Sequence, residues 1–156
     1  MNLATGLLIA ATVTSALARG ATFDQTFKQL PARHRIGATA YTAYARAADL
    51  SNGLIWYPIL GISTTMLCAA AVVTGLLDHP TAMRTTALVI LAVGTVVFTA
   101  ATSRAAPTLL TLRHGEVTDT QAQTTLNRFA RFNAIRASGI AVAVLAAVWA
   151  LALAIG

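Results

Sequence analysis

The chain has 156 residues, 56% hydrophobic and 10% charged, with a formal net charge of +6 and a mean hydropathy of +0.68. Soluble domains carry about 25% charged residues, so this composition excludes an ordinary soluble fold. It predicts a single domain, 1–156, that is all-α: an integral membrane four-helix bundle with helical connections on the cytoplasmic side.

Four charge-free runs, 1–18, 50–77, 85–103 and 137–156, each reach the roughly 18 to 20 residues that cross a hydrocarbon core of about 30 Å. They predict spans at about 2–20, 58–77, 85–104 and 135–155. The first ends in Ala16-Leu17-Ala18, which is like a signal-peptidase site, but no lysine or arginine precedes it, so it is expected to remain as an uncleaved helix. A basic connection follows, and its proline-free stretch 36–50 is expected to be helical. Trp56, Tyr57 and Pro58 open the second span, where aromatic rings favour the headgroup level and proline suits a first helical turn. Asp78-His79-Pro80 reads as a tight turn before the third span. In the last connection Thr118 and Asp119 are candidate N-cap residues for a helix through Leu126 and Phe129.

Charge sets the topology. The first and third connections with their flanks hold nine arginines and Lys28, whereas the second holds only Arg84. This ten-to-one bias predicts that both basic connections are cytoplasmic and both termini lie outside, in the cell inner (plasma) membrane. Each half repeats one plan, an apolar helix, a basic connection with an Arg-His pair (Arg33-His34, Arg113-His114) and a returning helix. Ten arginines to one lysine, with abundant alanine, point to a GC-rich bacterial genome. Membrane lipid, not nucleic acid, is the expected partner of the basic residues.

Several chemistries lack their groups. No histidine falls in a span to ligate a haem between helices, and Cys68 has no second thiol, so it reads as a structural thiol rather than half of a relay. All five carboxylates lie in connections, which removes the intramembrane acid of a proton-coupled transporter. No metal-ligand spacing occurs, and neither metal nor cofactor is expected.

What remains is a polar cluster at the basic ends of the helices. Arg136 shares a helical face with Asn133, Phe132 and Phe129, and the start of the second span offers Arg46, Asp49, Ser51, Asn52 and Trp56 after Tyr41 and Tyr44. Side by side, these groups would line a pocket for a flat apolar molecule. The competing reading has Arg128, Arg131 and Arg136 reach lipid phosphates and only orient the chain. His34 and His114 are candidate bases by their titration range, or simply surface groups, and the tyrosines are equally explained as interfacial aromatics.

The pattern GxxFxxxFxxLP from Gly20 to Pro31 and the closing LNRFARFNAIRASG from Leu126 to Gly139, set in this four-span layout, resemble the anthrone oxygenase family. Phe132, Asn133 and Arg136 match the aromatic, asparagine and arginine that open that family's last helix, whereas the stretch SRAAPTLL keeps Pro107 without the flanking asparagines. The resemblance implies a cofactor-independent oxygenation of a polycyclic phenolic, anthrone-like substrate. It further implies His34 or His114 as base, Asn133 and Arg136 holding the anion, and Phe129, Phe132 and Trp56 offering ring faces, while Tyr41, Tyr44 and Asn52 join them as expected substrate-binding residues from the clustering at the helix ends. The alternative is a non-catalytic membrane module that binds a lipophilic ligand or a partner protein. Its alanine- and glycine-rich helix faces also suit a homo-oligomer.

Overall fold

The computed structural model describes residues 2–155. Among them are four long helices and no strand: α1 (Leu3–Ile36), α2 (Ala38–Leu77), α3 (Ala82–Leu110) and α4 (Asp119–Ile155). Each is long and apolar enough to cross a membrane, so the chain is a multi-pass membrane protein built as a four-helix bundle. The helices run well past the spans expected from hydropathy. In particular, α1 and α2 extend until they meet at Gly37, whose φ of +87° and ψ of 155° lie in a region open essentially to glycine. Pro58 therefore falls inside α2 instead of its first turn, and its missing N–H leaves the Leu54 carbonyl without its usual intrahelical donor.

The helix starts follow local chemistry. Asn2 Oδ1 accepts from the Thr5 N–H at 2.9 Å. Thr118 and Gln121 cap each other's backbone N–H at 3.3 and 3.2 Å, a reciprocal capping box that starts α4. The turn before it is tied to α2, because Arg46 donates to the carbonyls of Leu112 at 2.6 Å and Gly115 at 2.7 Å.

Each helix buries a stripe. Along α1 this stripe is Ala4, Leu8, Ala11, Ser15, Ala18, Thr22 and Gln25, alternating by four and three. A π-helical turn at Gln25–Gln29 then inserts one extra residue, so that Leu30 and Arg33 keep facing inward. A second π-turn, Ala48–Asn52, occupies the same level of α2. The closest helix pair is α3 with α4, where Gly94 and Gly139 face each other. A Cβ on Gly139 would lie 2.8 Å from the Phe98 nitrogen, and one on Gly94 would lie 2.8 Å from the Ala143 nitrogen. Only glycine permits that approach, in the manner of small-residue packing in membranes.

Two apolar cores are stacked along the bundle. The core near the chain termini joins Leu8, Leu88, Leu91, Ile140 and Ala147. The core at the arginine-rich end joins Leu30, Tyr41, Leu50, Leu112, Leu126 and Phe129 and ties the helix extensions together. Arg33 crosses this second core, donating to the Leu126 carbonyl at 3.3 Å and to Asn127 Oδ1 at 3.1 Å. Between the two cores lies the site.

Candidate functional site

A cleft of about 480 Å³ separates α2 from α3 and reaches inward to α1 and α4. Its walls are apolar for most of their length: Leu54, Leu60 and Ile62 on α2, Phe98, Ala106 and Leu109 on α3, and Ala18 on α1. At the arginine-rich end the lining turns polar within a single layer. Gln25, Asp49, Tyr57 and Arg136 all line it there.

That layer is one hydrogen-bonded chain drawn from three helices. Arg136 Nη2 donates to Gln25 Oε1 at 2.6 Å and also to Asn133 Oδ1. Gln25 Nε2 donates to Asp49 Oδ2 at 3.2 Å, and Tyr57 Oη donates to Asp49 Oδ1 at 2.9 Å. Asn133 is fully buried and donates to Thr26 Oγ1 at 2.8 Å, and that hydroxyl donates to the Thr22 carbonyl at 2.7 Å. The amide of Gln25 thus stands between a guanidinium and a carboxylate, its oxygen on one and its nitrogen on the other. This fixes the orientation of the amide and spaces the two charges.

The π-turns explain how these groups meet. Gln25 opens the first and Asp49 lies in the second, and both side chains are buried. In the first turn Gln29 Nε2 donates to Asp24 Oδ2 at 2.6 Å, a pairing five residues apart that suits the wider turn. Arg136 retains a buried Nε with no protein acceptor, and each oxygen of Asp49 receives one of the two bonds described, so lone pairs remain for a further donor. The layer therefore offers both a donor and an acceptor to a polar group arriving through the cleft.

Of the residues singled out in the sequence, Arg136 and Phe129 line the cleft, and Asn133 supports Arg136 from behind. Tyr41 is buried in the arginine-rich core, its ring centroid 5.8 Å from that of Tyr44 in a tilted pair, and Phe132 is half-buried beneath the Arg128 guanidinium at 6.0 Å. Tyr44, Asn52 and Trp56 are exposed. His34 and His114 are also exposed and lie outside the cleft lining. Asp49, expected in the pocket from its place at the start of the second span, does line the cleft, whereas Gln25 and Tyr57 of the same layer were not among the candidate site residues. For Gln25 a signal existed: it is a polar residue at an inward position of the four-three stripe, seven residues beyond Ala18. Among the described residues no three His, Cys, Asp or Glu side chains converge as metal ligands.

No protein-family model, curated protein or solved structure matches this chain.

Proposed function

We propose that the cleft binds a flat, lipophilic phenolic molecule and that the chain is a cofactor-independent membrane oxygenase of the anthrone type acting on it. The observation that carries this reading is the Asp49–Gln25–Arg136 layer at the closed end of an otherwise apolar cleft. An anthrone-like substrate has an acidic CH₂ opposite the carbonyl in its central ring and conjugated to it through the flanking aromatic rings. Asp49 would take a proton from that carbon, and the negative charge would move to the carbonyl oxygen, where Arg136 donates to it. Dioxygen adds to the carbanion carbon, and the peroxide takes back the proton. Loss of water from the hydroperoxide then leaves a second carbonyl, so CH₂ and O₂ become C=O and H₂O. The apolar walls suit both the rings and dioxygen.

The ten-to-one distribution of basic residues further supports an orientation with both termini outside the cytoplasm and the polar layer in the inner leaflet of the plasma membrane. A second reading, a binding module without catalysis, is favoured by one observation: neither His34 nor His114 lines the cleft, which leaves Asp49 as its only carboxylate base and no imidazole.

The test is conversion of anthrone to anthraquinone by membranes containing the protein under oxygen. Loss of a general base costs about 10²- to 10⁴-fold, so Asp49→Asn is expected to lose at least 100-fold while His34→Ala and His114→Ala keep wild-type rates. Conversion no faster than in membranes lacking the protein, with anthrone still bound, would leave the binding module standing.

A further inference from the structure

The shape of the cleft also bears on how a ligand reaches it. At the arginine-rich end it is covered by the second core, with Leu50, Leu109 and Phe129 buried across it. On its lateral side, between α2 and α3, it is open: the lining residues Ile62 and Met66 on α2 and Ser103 and Ala106 on α3 are exposed on a surface that faces lipid. Toward the chain termini the two walls close where Thr65 Oγ1 and Thr99 Oγ1 meet at 3.0 Å. Gly61 lies in the same lining, and a Cβ there would meet nothing within 4 Å.

Resting on the reading of the cleft as a ligand site, we propose that its ligand enters sideways from the bilayer between α2 and α3, and that the ligand class is an amphipathic lipophile with its polar group at one end. Leu54 to Met66 on α2 and Phe98 to Leu110 on α3 each span about 18 Å at the helical rise of about 1.5 Å per residue. That is about the thickness of one leaflet, half of a core of about 30 Å. A membrane-dissolved amphiphile already lies with its polar end at the headgroups and its apolar body toward the midplane. The cleft has the same polarity, with Gln25, Asp49 and Arg136 at one end and Ile62, Met66 and Phe98 toward the other. Such a molecule moves from lipid into the cleft by translation alone, without turning over and without passing its apolar body through water. A water-soluble ligand has no comparable path, because the core at the arginine-rich end covers the polar layer.

The experiment obstructs the lateral mouth and reads rates. Gly61→Phe and, separately, Ala106→Phe are prepared in a Trp149→Phe background, where Trp56, the neighbour of the lining residue Tyr57 in α2, is the sole tryptophan. The proteins are placed in lipid nanodiscs, anthrone is added by rapid mixing under nitrogen, and quenching of Trp56 is followed. A blocked route slows loading and release together, so both rates are expected to fall at least tenfold in either variant that melts like the parent protein. Parent-like loading rates in both obstructed proteins would overturn the lateral route. Failure of the parent protein to take up anthrone in an Arg136-dependent way, judged by equilibrium titration against Arg136→Lys, would instead overturn the ligand site on which the route depends.

Discussion

Replacing Arg136 with lysine tests whether the polar layer holds the bundle together or merely decorates it. Arg136 Nη2 reaches Gln25 on α1 and Asn133 on its own helix, so one planar nitrogen joins α4 to α1. Lysine keeps the charge but not the fork, and its ammonium ends one bond short of the Nη2 position. At least one of the two acceptors then loses its donor. A hydrogen bond to a charged group contributes about 1.5–3 kcal/mol, and Asn133 is fully buried, so Arg136→Lys is expected to destabilise by about that amount. The assay is reversible unfolding in mixed micelles, titrating dodecyl sulfate and following helicity. Arg128→Lys is the control: Arg128 is exposed, its guanidinium 6.0 Å from the Phe132 ring, and the exchange is expected to stay within about 0.5 kcal/mol. If Arg136→Lys also stays within about 0.5 kcal/mol of wild type, the clamp has been misread and Arg136 serves only as a lipid-facing charge.

Gly139→Ala puts a methyl 2.8 Å from the Phe98 nitrogen and 3.1 Å from the Gly94 carbonyl oxygen. It is expected to cost about 1–3 kcal/mol in the same unfolding assay, and an unchanged midpoint would show that α3 and α4 are not packed this closely. For topology, a reporter active only in the cytoplasm is expected to be silent when fused after residue 156 and active when inserted at Gly115; the reverse pattern would invert the proposed orientation.

The architecture was legible in the sequence because it depends on composition and run length. A helix that crosses hydrocarbon satisfies its own backbone, so four apolar runs of sufficient length imply four helices whatever their neighbours are. The cap at Thr118 and the inward face carrying Phe129, Asn133 and Arg136 were legible for the same reason, since each follows from spacing along one helix. Hydropathy did not mark the real helix ends, because the extensions to Ile36 and from Ala38 are held by contacts between helices and by the single glycine break, not by their own apolarity. Neither could spacing within one segment reveal the site. Gln25 and Asp49 are 24 residues apart and come together because two π-turns at one level rotate them toward each other. Arg136 and Gln25 are 111 residues apart and belong to different helices. The exposure of both histidines, and the cleft that leaves Asp49 beside Arg136, are likewise decided by how four helices pack. Local sequence fixes which face of a helix a residue occupies, but only the relative rotation and separation of helices determines what that face meets.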